Sequence, residues 1–248
     1  MNVNDNRLVY ALRQLALKDA AEAYVQMLAE PSLIESMSAE DLLLHLLEVE
    51  ENARNKRRQE VLLKQCRAAI CAFPSDLRYD GERGAKFKEK MAVLLTMNFV
   101  KLGQNLTIFG GSGCGKTFIA SLLTRQCCAM GKSAAFFNTK DLIAKLMSAK
   151  GSDIYLRQRK SLASRSLLTL DDFGLTPYSP QEQDILFDVL NDRYGRKSLL
   201  VTSQKTPDRW IEDMGGGAMA EAIAERIAKN NYTLVVEGDS LRSSLSLN

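Results

Sequence analysis

Gly110-Gly111-Ser112-Gly113-Cys114-Gly115-Lys116-Thr117 stands between two apolar runs, residues 106–109 before it and residues 118–123 after it. The spacing G-x-x-x-x-G-K-[ST], between a strand pattern and a helix pattern, is that of a nucleotide loop. Its glycines let successive backbone N–H groups converge on one phosphate chain. The helix that follows adds the positive end of its dipole. Lys116 is then placed to reach the β- and γ-phosphates, and the Thr117 hydroxyl to ligate Mg²⁺. The eight loop residues, with Phe118 opening the helix, are the expected binding set for ATP or GTP.

Outward from the loop, β-prone runs begin near Leu106, Ala134, Leu167, Leu199 and Leu234. Each gap has room for one helix and two loops, as parallel crossovers require. Runs such as Leu167-Leu168-Thr169-Leu170 are nearly continuous in apolar residues, the pattern of strands buried on both faces. The expectation is an α/β P-loop core with a five-stranded parallel sheet flanked by helices. Sites in such sheets lie at the carboxyl ends of strands.

Residues 1–70 read as a small all-helical N-terminal domain and residues 71–248 as the nucleotide-binding domain. Leu8, Leu12, Ala16, Ala20, Ala23 and Met27 recur as one helical stripe, ended by Pro31 and Ser32. Ser38 with Asp41 reads as the cap of a second helix. Its apolar side carries Leu42, Leu43, Leu46 and Leu47, and it runs on through residues 48–60; His45 within it reads as structural. A linker spans residues 73–84; in proteins with similar nucleotide loops the segment before the loop strand lies over the nucleotide, and that resemblance implies Tyr79 and Asp80 as the base-covering residues. The N-terminal helices have too little core of their own and are expected to dock a partner.

Hydrophobic residues at 46% and charged residues at 25% are soluble-protein values, and no apolar run approaches the roughly 20 residues of a membrane span. Five cysteines without framework spacing fit a reducing compartment; adjacent Cys127 and Cys128 read as core. One histidine and no C-x-x-C pair exclude a zinc site. The net charge of +3 is small but uneven. Arg54, Lys56, Arg57, Arg58, Lys64 and Arg67 form one cluster, and Arg157, Arg159, Lys160 and Arg165 another. Beside a nucleotide core, such clusters suit a phosphate backbone.

Leu170 is followed by Asp171 and Asp172. An acid ending an apolar strand downstream of a nucleotide loop holds Mg²⁺ with the loop threonine, the role expected of Asp171. Asp172 is placed to orient or deprotonate water. The next strand ends in Thr202-Ser203-Gln204, where a polar side chain can sense the γ-phosphate. Thr206-Pro207 then starts a helix, and Trp210 reads as packing. These acids with Lys116 favour γ-phosphate hydrolysis over transfer to a small molecule.

Together, Gly110-x-x-Gly113-x-Gly115-Lys116-Thr117, Leu167-Leu168-x-Leu170-Asp171-Asp172-Phe173-Gly174, Thr202-Ser203-Gln204 with Trp210, Ala224-Glu225-Arg226-Ile227 and Gly238-Asp239-Ser240-Leu241-Arg242 resemble the IstB family. Its members are AAA+ ATPase helpers of bacterial transposases, related to the DnaC and DnaI helicase loaders. The resemblance covers residues 70–248 closely and the helical N-terminus more loosely. It implies ATP with Mg²⁺, Gln204 at the sensor I position, Arg226 as an arginine finger reaching a neighbouring subunit, and Arg242 near sensor II. It further implies a bacterial cytoplasmic homo-oligomer on duplex DNA that engages a cognate transposase. Residues 140–165 correspond to an extra helical insertion, which makes its basic cluster a DNA-backbone surface.

The chain departs from the family pattern at Gln204, usually asparagine, at Asp172, often glutamate in AAA+ proteins, and at Cys114, often threonine. The shorter Asp172 implies slow basal turnover. A replicative-helicase loader shares the ATPase module, but its single-strand binding favours aromatic platforms, and aromatic residues are 7% of this chain. A small-molecule kinase would need an acceptor pocket and a lid.

Overall fold

The structure is a computed structural model and describes residues 7–77, 79 and 84–236. The chain divides into two compact units, Met1–Val61 and Leu62–Asn248.

The larger unit is built on β1 (Asn105–Phe109), β2 (Ala134–Asn138), β3 (Leu167–Asp171), β4 (Ser198–Ser203) and β5 (Asn231–Val235). They form one parallel sheet in the order β2-β3-β4-β1-β5. α7 (Lys116–Ala129) joins β1 to β2; α8 (Thr139–Ala149) and α9 (Asp153–Ser164) join β2 to β3. α10 (Pro180–Arg193) joins β3 to β4, and α11 (Pro207–Asp213) with α12 (Gly217–Ala228) joins β4 to β5. α5 (Ala85–Leu95) and α6 (Asn98–Lys101) precede β1. The parallel sheet expected from the sequence is therefore present, and residues 140–165 form the two helices α8 and α9.

Successive strand residues point to opposite faces, and the sheet separates two cores accordingly. Leu167, Leu200, Leu106 and Ile108 pack with Ile119, Leu122 and Leu123 of α7. Leu168, Leu170, Leu199 and Val201 pack on the other face with Ile143, Ile185, Leu186 and Ile223. β3 and β4 are buried along their whole length, which explains their unbroken apolar runs. β5 is an edge, with Tyr232 and Val235 about half exposed. It starts three residues before Leu234 because Asn231, Tyr232 and Thr233 carry the β1 pairing without an apolar pattern.

The smaller unit differs from its expected single stripe. Ala16 adopts a left-handed conformation (φ 57°) and divides the stripe into α1 (Arg7–Gln14) and α2 (Lys18–Leu28). The turn brings Val9 and Leu12 against Ala20, Ala21, Met27 and Leu46. Pro31 opens a short helix, α3 (Pro31–Glu35), at a position where its missing N–H costs nothing. Ser38 caps α4 (Ala39–Gln65) as expected: Asp41 N–H donates to its Oγ at 3.1 Å. On α4, Leu46 is buried, but Leu43, Leu44, Leu47 and His45 are exposed.

α2 has no capping side chain of its own. The buried carboxylate of Glu50 replaces one, accepting from the N–H groups of Asp19 (2.8 Å) and Ala20 (3.2 Å). Arg54 pairs with Glu50 at 2.6 Å and Arg57 with Asp19 at 2.7 Å. Half of the first basic cluster's arginines thus neutralise acids within this unit.

Candidate nucleotide site

The glycine loop leaves β1 and enters α7 as expected from the sequence. Gly110 is required by close approach: a Cβ there would lie 2.4 Å from Val236 O and 2.6 Å from Cys114 Sγ. The loop borders a cavity of about 620 Å³ lined by Ser112, Gly113, Gly115, Lys116, Thr117 and Phe118 together with Asp172, Gln204, Ile70 and Leu175. That size suits a nucleotide. Lys116 Nζ is folded against the loop, donating to Gly111 O at 2.6 Å. Cys114 is buried beneath the loop, with its sulfur 4.0 Å from Lys116 Nζ.

Asp171 lies behind Thr117 and is nearly buried. Thr117 Oγ1 donates towards it, 3.0 Å from Oδ2, and Thr202 Oγ1 donates to Oδ1 at 2.5 Å. Burial pushes the Asp171 carboxyl above its ordinary range; the Thr202 bond opposes this, the Asp172 charge adds to it, and Thr117 and Lys116 oppose it. A buried carboxylate beside a hydroxyl oxygen is a hard donor pair suited to Mg²⁺, which takes few protein ligands and completes its shell with phosphate oxygens and water. Thr117 and Asp171 would hold it. Bound there, the ion would neutralise charge on the phosphates.

Asp172 takes a left-handed φ of 55°, a strained conformation of the kind found at functional sites. Its N–H donates to Thr202 Oγ1 at 3.0 Å, so one hydroxyl holds both acids. The turn beyond is pinned: Gly174 N–H donates to Tyr178 OH at 2.8 Å, and Ser203 Oγ donates to Phe173 O at 2.7 Å. Trp210 is buried packing, as expected, but its Nε1–H also donates to Ser203 Oγ at 2.9 Å. Gly174 makes room for it, because a Cβ there would meet Trp210 Cδ1 at 2.7 Å.

The residues not anticipated from the sequence are Thr202 and Thr139, whose hydroxyl donates to Asp171 O at 2.7 Å, and Ile70 at the cavity wall. Threonines at strand ends carry no distinguishing signal alone. Tyr79 does not line the cavity; it packs on Phe87, 6.2 Å between ring centroids. Asp80 and Arg242 lie outside the described residues.

Arg226 lies near the end of α12, away from the cavity. Its guanidinium stacks 4.2 Å from the Phe187 ring centroid and 5.3 Å from that of Tyr194. It donates to Asn191 Oδ1 at 3.2 and 3.1 Å and to Ala222 O at 2.9 Å. Asn105 holds the helix end: its Nδ2 donates to Arg226 O (3.1 Å), Ile227 O (3.0 Å) and Lys229 O (3.3 Å), while its Oδ1 accepts from Leu199 N–H at 3.0 Å. Because Asn105 opens β1 and the glycine loop follows its end, a strand length of about 13 Å separates the backbone end of α12 from the loop.

In the second basic cluster, Arg159 is committed internally, at 2.6 Å from Asp188 and 2.8 Å from Asp192. Arg157, Lys160 and Arg165 have no ion pair among the described residues. No group of three or more metal-ligating His, Cys, Asp or Glu side chains occurs among the described residues, and no helix among them is long and apolar enough to cross a membrane.

Fold and site together define a P-loop nucleotide-binding protein of the AAA+ class. The chain belongs to the family of IstB-like ATP binding proteins, whose family model matches residues 10–248. It is 32% identical over 231 residues to the putative insertion sequence ATP-binding protein y4pL of Sinorhizobium fredii, covering 93% of this chain and 94% of that one. It is 30% identical over 219 residues to the IS21 putative ATP-binding protein of Pseudomonas aeruginosa, covering 88% and 82%. Among solved structures, the DnaC helicase loader shares the fold at TM-score 0.54 and 23% identity, covering 65% of this chain and 94% of that one.

Proposed function

We propose that this chain is an ATP-hydrolysing switch that assembles as a homo-oligomer on duplex DNA and recruits or stimulates a transposase. Lys116 and the loop N–H groups hold the triphosphate, Thr117 and Asp171 hold Mg²⁺, Asp172 directs the attacking water, and Gln204 senses the γ-phosphate. Basal turnover is slow because Asp172 is short and its turn fixed. The insertion-sequence relatives supply the transposase context, and the exposed leucines of α4 supply an apolar surface for the partner. Arg157, Lys160 and Arg165 are the DNA-backbone contacts, with Arg159 bracing their helix.

The observation that carries this reading is Arg226. Its guanidinium is presented on two aromatic rings and an amide with no carboxylate partner among the described residues, and it does not line its own chain's nucleotide cavity. An arginine so placed serves another subunit's nucleotide, which makes turnover depend on assembly.

The test is particle mass in solution on a random-sequence duplex of several helical turns, with ATP, with ADP, and with Lys116→Ala. Multi-subunit particles only with ATP, duplex and intact Lys116 are expected. A monomer indifferent to all three would overturn the assembly reading, and assembly on single strands alone would point to a helicase loader.

A further inference from the structure

The segment 66–73 lies along one face of α7. Ser121, Arg125 and Cys128 recur at i, i+4 and i+7 and so share that face. Each of them holds the segment. Ile70 N–H donates to Ser121 Oγ at 3.3 Å, and Arg125 Nε donates to Ala72 O at 3.2 Å while its guanidinium sits 5.0 Å from the Phe73 ring centroid. The Cys128 thiol bonds to the Cys66 sulfur. The free edge of β2 fixes both cysteines. Phe136 N–H donates to Cys66 O at 2.8 Å, and Ala134 N–H, on the same side of the strand two residues earlier, is directed at the Cys128 sulfur.

The two thiols are unequal. The bond from Cys128, the Ala68 N–H and the Arg125 charge outweigh burial and hold the Cys66 thiol below its ordinary range. The same bond, burial and the Cys66 charge push the Cys128 thiol up. Cys66 is therefore the thiolate of the pair and Cys128 its protonated partner, as attacking and resolving thiols are divided. Adjacent Cys127 is a built-in contrast: its sulfur faces Lys132 O at 3.9 Å, and burial pushes its thiol up to about 12. Cys66 is buried, but Arg67 leaves its helix with a left-handed φ of 54°, and Arg67, Ala69, Ile70 and Cys71 are exposed. An oxidant as small as hydrogen peroxide needs only local opening of this turn to reach the sulfur.

We propose that Cys66 and Cys128 form a peroxide-sensitive dithiol whose closure to a disulfide locks the segment 66–73 onto α7. The Cys66 thiolate attacks one oxygen of hydrogen peroxide; an S–O bond forms, the O–O bond breaks, and hydroxide leaves. The Cys128 sulfur then attacks the Cys66 sulfenic acid; the S–S bond forms, the S–O bond breaks, and a second hydroxide leaves. The hydroxides take up the two thiol protons. Two thiols and one peroxide thus give one disulfide and two waters, a two-electron oxidation of sulfur. Neither cysteine lines the nucleotide cavity, so the site does not depend on nucleotide chemistry, although the locked segment carries Ile70 of the cavity wall.

The test exposes the full-length native chain to hydrogen peroxide at pH 7, blocks the remaining thiols with N-ethylmaleimide in acid denaturant, and maps the peptides by mass. A Cys66–Cys128 cross-linked peptide, reversed by dithiothreitol, is expected, with Cys66 lost at least about tenfold faster than Cys127. Cys128→Ala should stop Cys66 at the sulfenic acid, captured by dimedone. Amide hydrogen exchange across residues 67–73 should slow at least about tenfold in the cross-linked chain. Cys66 oxidised no faster than Cys127, or carried to sulfinic acid in the native chain without a cross-link to Cys128, overturns the dithiol. Unchanged exchange in the cross-linked chain overturns the lock.

Discussion

Thr202 Oγ1 donates its hydrogen to Asp171 Oδ1 across adjacent strands at 2.5 Å, and Thr202 Oγ1 in turn accepts the backbone N–H of Asp172 at 3.0 Å. One side chain therefore orients the carboxylate proposed to hold Mg²⁺ and fixes the strained turn that carries its neighbour. Thr202→Val keeps the volume and removes both interactions. We expect a stability loss of about 1–3 kcal/mol from the orphaned N–H, a higher Mg²⁺ concentration for half-maximal activity, and at least tenfold slower turnover. Thr202→Ser should restore the magnesium midpoint. An unchanged midpoint in Thr202→Val would remove Thr202 from the site's machinery.

Asp172→Asn separates binding from hydrolysis. Asparagine tolerates the left-handed backbone that Asp172 adopts, so melting should move little and ATP affinity should stay within about threefold. Turnover should fall about 10²–10⁴-fold, the worth of a general base. Full turnover in single-cycle hydrolysis assays would assign the water to another group.

Arg226→Ala should bind ATP normally as an isolated chain yet lose about 10³-fold or more in turnover. Mixing Arg226→Ala with Lys116→Ala chains provides the sharper reading. A shared site pairs an intact loop of one variant with an intact arginine of the other, so part of the activity should return. A mixture as inactive as its components, at confirmed assembly, would place Arg226 outside the hydrolytic site.

Asn105→Leu leaves the carbonyls of Arg226, Ile227 and Lys229 and the N–H of Leu199 without their side-chain partner. Leaving a buried group unsatisfied costs about 1–3 kcal/mol, so denaturant unfolding should show a loss of at least about 2 kcal/mol. Because the same bonds fix the end of α12, turnover should fall at temperatures where the variant remains folded. A stability change below about 0.5 kcal/mol would mean that water replaces the amide.

The parts of this molecule legible in the sequence are those in which one local constraint dictates residue type. Gly110 admits no Cβ, Leu167 to Leu170 must be apolar towards two cores, and Asp171 must end its strand beside Thr117. The unread parts are set by contacts far apart in the chain. Asn105 meets Leu199, Thr202 meets Asp171, and Ile70 reaches the cavity wall; none belongs to a periodic pattern. The break at Ala16 was equally silent. Its neighbours, Leu15 and Leu17, are ordinary helix formers, and the turn is favoured by packing of Val9 and Leu12 against α2 and by the bond from Arg54 to Ala16 O at 3.0 Å.

Glu50 gives the smaller unit a pH dependence of known sign. Burial pushes its carboxyl up, but Arg54 and the N–H groups of Ala20 and Asp19 outweigh burial and hold it below its ordinary 4.5. A carboxyl depressed in the fold stabilises it above the unfolded pKa and loses that contribution as pH falls through the folded one. Glu50→Gln keeps an acceptor for the start of α2 but removes the titration. The variant should therefore melt lower than the native chain at pH 7, and the difference should shrink as pH falls from about 5 towards 3. Melting followed by circular dichroism across that range measures it. A difference that stays constant with pH would show that Glu50 acts through shape and hydrogen bonding alone, and that its charge contributes nothing to capping α2.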